Sequence, residues 1–202
     1  MKINSLNNLS FSKKLVATCA IKGAKGNIPC SISKIEEEDK DYFIHLIYKP
    51  GWKNYLYATI IDGDIRRGNA DTIYVMEDKK ENCLGFMEIF TKNSNKNSLE
   101  FIEVKPACRN KNSKRTVKYI GETMMNFLAQ VTKMSGKKYV SVPHPDSEAI
   151  GFYKKCFCAL SGQTQGFTLA EDNMDKLKIS NFEHTGAEIN ILSQYKKGAF
   201  LL

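Results

Sequence analysis

Between Leu99 and Phe157 the chain runs strand, turn, helix, strand, short helix, and this order constrains the fold more than any other feature. The first strand is LEFIEVKP, closed by Pro106, and the turn ends in Lys118-Tyr119-Ile120-Gly121-Glu122. A helix follows with Val117, Ile120, Met124, Leu128 and Val131 on one apolar stripe, ending at Ser135-Gly136. The second strand is KKYVSV. After the rigid Pro143-His144-Pro145, Asp146 or Ser147 caps a short helix that carries Phe152-Tyr153-Lys154-Lys155. A helix start aimed past a strand end presents unpaired N–H groups and suits a pyrophosphate.

Upstream, Leu15, Ala17, Cys19 and Ile21 alternate, as do Ile28, Cys30 and Ile32, with Gly23-Ala24-Lys25-Gly26-Asn27 between them. The pattern predicts an N-terminal hairpin. Acids at 36–39 open a predicted helix whose apolar face is Tyr42, Phe43, Leu46 and Ile47, stopped by Pro50-Gly51. Trp52, Tyr55 and Tyr57 then form either core or the wall of a pocket. Strands over 72–76, 83–90 and 99–106, joined by polar turns, make three adjacent antiparallel strands. Further β-type segments fall at 159–163 and 188–192, with a helical stretch over 172–178 between them.

The chain has 202 residues, 42% of them hydrophobic, enough for one domain with a real core. No run approaches the ~20 apolar residues that span a bilayer, and the apolar run after Lys13-Lys14 is too short for a secretory leader, so a cytoplasmic setting is expected. The formal charge is +8, with the cations scattered instead of gathered into an arm. That favours a phosphate-bearing small molecule over DNA and leaves RNA as a lesser option. Six cysteines without a CxxC pair, and three separated histidines, predict reduced thiols and no metal site. Cys156 and Cys158 are read as facing one side of a strand.

Several segments together resemble the GNAT superfamily of N-acetyltransferases. Ile102-x-Val104-x-Pro106-x-x-Arg109 is similar to that family's LxVxPxxR strand. Tyr119 to Met125 stands where its GxGxxLL helix start would be, and Ala149-x-x-Phe152-Tyr153-Lys154-Lys155-x-Phe157 resembles its AxxFYxKxGF segment. The pair Tyr74-Val75-Met76-Glu77 and Gly85-Phe86-Met87-Glu88-Ile89 resembles its preceding hairpin. The resemblance covers roughly residues 30 to 195. It implies an α+β, three-layer fold with a mixed, mostly antiparallel sheet flanked by helices. The chain is then one domain, 1–202, with 1–29 as an extension adding one strand.

The resemblance also implies an activity: transfer of acetyl from the cosubstrate acetyl-CoA to a primary amine by direct attack. Ile102, Val104, Arg109, Lys118, Tyr119, Ile120, Gly121 and Glu122 would bind the cosubstrate, Tyr153 would serve the leaving thiolate, and Val104 would offer its amide to the carbonyl oxygen. A carboxylate on the strand would take the amine's proton. Glu100 is favoured because it shares strand parity with Ile102 and Val104, with Glu103 the alternative. Two departures stand out. Only Gly121 of the glycine loop remains, and Tyr119 in the place of a glycine is tolerable if it keeps φ below zero. An insertion follows Arg109, where Lys114-Arg115 would meet phosphate. His144 and Cys108 are secondary candidates. The rival readings are a non-catalytic acyl-CoA-binding or protein-interaction module and an RNA-directed acyltransferase, as monomer or homodimer.

Overall fold

A computed structural model describes residues 13–35, 39, 43, 72–109, 115–162 and 166–195. The predicted N-terminal hairpin is present as β1 (Lys14–Gly23) and β2 (Gly26–Ile35). The three adjacent strands are β3 (Thr72–Asp78), β4 (Cys83–Phe90) and β5 (Lys96–Val104), all antiparallel. Downstream come β6 (Val117–Lys118), α1 (Ile120–Met134), β7 (Tyr139–Val142), α2 (Ile150–Lys155), β8 (Ala159–Leu160), β9 (Phe167–Ala170), α3 (Glu171–Thr185) and β10 (Asn190–Ile191). These strands form one mixed sheet in the order β10-β1-β2-β3-β4-β5-β7-β9-β8, with β6 paired to β1. Only β5 and β7 run parallel, because α1 is the crossover between them.

The alternation of each strand decides which face is packed. Ile32, Met76, Tyr74, Met87, Ile89 and Leu99 share one face with Ile120, Met124, Phe127 and Leu128 of α1 in a single buried cluster. Tyr74 meets Phe127 edge to face at 5.0 Å. The opposite face carries Phe86, against which the buried Phe43 packs edge to face at 5.1 Å. The rest of the helix expected near Tyr42–Ile47, the aromatic group Trp52, Tyr55 and Tyr57, and Lys114 lie outside the described residues. No helix among the described residues is long and apolar enough to cross a membrane.

Two elements depart from the sequence reading. Val117 does not join the apolar stripe of α1. It sits in β6, opposite Gly23 of the hairpin, and the helix begins only after Tyr119. Cys156 and Cys158 both enter the core, but no strand carries them: Phe157 between them has φ 61° and the chain turns there after α2.

Candidate active site

β5 and β7 pair only over Lys96–Ser98 and Tyr139–Ser141. Beyond that point they part. β7 ends at Val142 before Pro143, which has no N–H to donate, and β5 carries a bulge at Glu100 opposite Glu88 and Ile89. The Lys105 N–H bonds the Leu84 carbonyl at 2.9 Å, which sets the phase of the β4–β5 ladder. By alternation, Val104 and Ile102 turn their backbone N–H and C=O groups away from β4 and into the opening. The Val104 carbonyl accepts a bond from Arg109 Nε at 3.0 Å.

The first turn of α1 closes one end of this wedge. Ile120 is buried in the core, so it has only its backbone to offer a ligand. Among the described residues no side chain caps the helix, and its first N–H groups remain available to an acceptor. A Cβ on Gly121 would stand 3.0 Å from the Phe152 ring and 3.5 Å from Val104 Cγ2. The missing side chain thus lets α2, β5 and the start of α1 meet at one point.

Tyr119 does not keep a negative φ. It lies at φ 64°, ψ 19°, in the left-handed region, because the chain must leave β6 and enter α1 within one residue. Both the Thr123 N–H (2.9 Å) and Thr123 Oγ1 (2.8 Å) donate to its carbonyl. Its ring stacks on His184 of α3, with centroids 4.5 Å apart and planes at 7°. His184 Nδ1 in turn lies 2.9 Å from a Glu122 carboxylate oxygen. Glu122 therefore faces α3, and Lys118 is exposed on β6, facing Lys22 of the hairpin.

The β5 carboxylates occupy distinct places. Glu100 is the extra residue of the bulge, half-exposed, so its side cannot be counted by twos from Ile102 and Val104. Glu103 is buried and bonded to Arg109 at 2.8 Å. Arg109 is thus turned back onto β5, holding both Glu103 and the Val104 carbonyl.

Tyr153 is buried, its ring stacked with Phe167 at 5.7 Å. Burial, then the neighbouring Cys158 and Glu103, push its phenol above the ordinary tyrosine range, so it stays protonated and can donate. Cys108 is half-buried and its thiol is raised by burial, which suits an inert side chain. His144 is exposed in the bend after β7. No group of three or more metal-ligating side chains occurs among the described residues.

The structure brings Val104, Gly121 and Phe152 together, with Tyr153 beside Phe152 in α2 and Arg109 turned back onto β5; Glu100 lies in the bulge and Lys118 on β6, one residue ahead of Tyr119 and the start of α1. His184 was not found by sequence reasoning, since it lies 62 residues from its partner Glu122 with no local signal. Phe152 carried a signal in the FY pair, and Glu103 in the alternation of β5.

No protein-family model and no curated protein matches this sequence. Solved structures do resemble the fold. A protein assigned as an acetyltransferase from Exiguobacterium sp. 255-15 has a TM-score of 0.54 at 13% identity, covering 73% of this chain and 97% of its own. AtaTR bound with acetyl-CoA has a TM-score of 0.52 at 15% identity, covering 73% of this chain and 97% of its own. A protein assigned to the GNAT acetyltransferases from Desulfovibrio desulfuricans has a TM-score of 0.51 at 8% identity, covering 70% and 99%. At such identities the likeness is one of fold.

Proposed function

We propose that this chain, which has the fold of the GNAT acetyltransferases, transfers an acetyl group from acetyl-CoA to a primary amine. The observation that carries the reading is the open edge of β5, with Val104 and Ile102 facing the wedge, meeting the uncapped first turn of α1 where Gly121 faces Val104 and Phe152, the neighbour of Tyr153. The N–H groups of Ile120, Gly121 and Glu122 suit the pyrophosphate. The pantetheine arm would extend along β5 as an added strand.

The amine nitrogen attacks the thioester carbonyl carbon. A C–N bond forms, the C–S bond breaks, and the amine must lose a proton. Negative charge gathering on the carbonyl oxygen is met by the Val104 N–H, a backbone donor already in place. The departing sulfur takes a hydrogen bond from the Tyr153 hydroxyl. The proton leaves through water toward Glu103, which we place in this role ahead of Glu100 because it is buried and held by Arg109. Arg109, bonded to that carboxylate at 2.8 Å, holds it in place.

Thermal unfolding with acetyl-CoA tests the premise. Ligand at ~100 times its Kd adds about 2.7 kcal/mol, a rise of roughly 5–10 °C for a chain of this size. No rise at saturating ligand removes the proposal. Tyr153→Phe keeps the ring stack and deletes the donor. It is expected to lower kcat about 100-fold with acetyl-CoA affinity within about twofold of wild type, and an unchanged kcat removes Tyr153 from the chemistry.

Tyr119 on His184, and Glu122 beside it, favour one rival: a module that binds acyl-CoA without turning it over. A thermal shift with acetyl-CoA but no thiol release across a broad amine panel would establish that reading instead.

A further inference from the structure

Across the β1–β6 pair, Lys22 stands directly opposite Lys118. Directly opposed residues in an antiparallel ladder project from the same face with Cβ atoms about 5 Å apart, and like charges there destabilise the pairing. Both ammonium groups are exposed, and among the described residues neither has a hydrogen bond or ion-pair partner. Lys25, equally exposed, follows in the hairpin turn. The fold gains nothing from two cations in this position. β6 is only two residues long and is held to the hairpin tip by the Ala24 N–H on the Thr116 carbonyl at 2.8 Å. An acid at either position would strengthen it.

Lys118 is also separated from the first turn of α1 by Tyr119 alone. The first strand and tip of the N-terminal hairpin, which lie outside the segment resembling the GNAT superfamily, therefore deliver a second cation, Lys22, next to the loop proposed to hold pyrophosphate. We propose that Lys22 and Lys118, with Lys25 at the rim, bind a dianionic phosphate monoester, namely the ribose 3′-phosphate at the nucleotide end of CoA. The proposal rests on the acyl-CoA reading given above. A monoester dianion relieves the repulsion between the two ammonium groups, which a neutral or singly charged ligand does less well. Two compact, strongly hydrated point charges suit phosphate of unfixed orientation.

The test compares CoA with 3′-dephospho-CoA by titration calorimetry, in the full chain and in Lys22→Gln, Lys118→Gln and the double variant. Wild type should bind CoA about tenfold tighter than dephospho-CoA at low salt, and the preference should shrink as salt rises. The double variant should lose the preference by weakening CoA alone. Each single variant should be at least as thermally stable as wild type without ligand, a result expected of a repulsive pair and not of a structural one. If wild type binds the two ligands equally, the phosphate site is wrong while the acyl-CoA reading stands. If wild type binds neither, both fall. If the lysine variants leave both coenzyme affinities unchanged but lose salt-sensitive binding to a structured RNA, the pair serves nucleic-acid phosphates and the proposal is overturned.

Discussion

Tyr119 occupies a conformation in which a β-carbon crowds the backbone, at φ 64°. The strain is about 1–2 kcal/mol, offset in part by stacking on His184, itself worth about 0.5–1.5 kcal/mol. Two substitutions separate these effects. Tyr119→Ala keeps the strain and loses the stack, whereas Tyr119→Gly loses both. Urea denaturation should place the glycine variant about 1 kcal/mol above the alanine variant, and the reverse order would mean that φ 64° carries no strain here. Gly121 poses the opposite question, because a methyl group there meets the Phe152 ring at 3.0 Å. Gly121→Ala is expected to cost about 1–2 kcal/mol despite its better helix propensity. Phe152→Leu in the same chain should recover much of that loss, as neighbours sharing one contact do in a double-mutant cycle.

At the scale of elements, α3 locks onto α1 through buried amides. Asn126 Nδ2 donates to Asn181 Oδ1 at 2.9 Å, and Asn181 Nδ2 donates to Thr123 Oγ1 at 3.0 Å. Thr123 then bonds the Tyr119 carbonyl, so α3 reaches the proposed pyrophosphate turn through two side chains. Asn181→Ala strands buried polar groups on α1 and should cost about 1–3 kcal/mol, with hydrogen exchange quickening first in α3. Replacing Asn126 and Asn181 together by Leu should cost less than the sum of the two single changes; full additivity would show that the amides are not coupled. This helix also explains where sequence reasoning stopped. Its buried positions are Met174, Leu177, Asn181 and Thr185, a narrow stripe with two polar members, so only the stretch up to Lys178 carried a pattern. The strands with clean alternation, and the order strand–turn–helix–strand that frames the site, could be read directly. The bulge at Glu100, the Lys22–Lys118 pairing and the meeting of Tyr119 with His184 could not. Each depends on residues far apart in sequence, and no local propensity encodes such contacts.

For the molecule as a whole, the thiols provide the clearest handle. All six cysteines are free, and five are buried. Burial, then the adjacent Cys158 and Glu122, hold the Cys156 thiol well above its usual range, and burial raises Cys83 and Cys158, the last to about 12. In an unfolded chain a cysteine ionises near ~8.5. A group whose folded pKa is raised contributes stability that is fully present below the unfolded value and is lost as pH climbs through the folded one. Here the unfolded chain releases protons that the folded chain retains, so alkali favours unfolding. Stability in urea should therefore be level to about pH 8 and fall from ~8.5 toward 12, with Tyr153 adding a further decline above ~10 because its phenol is also raised. Tyr153→Phe should flatten only the upper part of that decline, and Cys158→Ala the lower part as well. A reductant should leave the midpoint unchanged at every pH, since no disulfide is present to break. A urea midpoint that stays constant to pH 10.5 would show that these thiols are solvated in the folded chain and that the core around α2 is looser than the packing of Tyr153 on Phe167 implies.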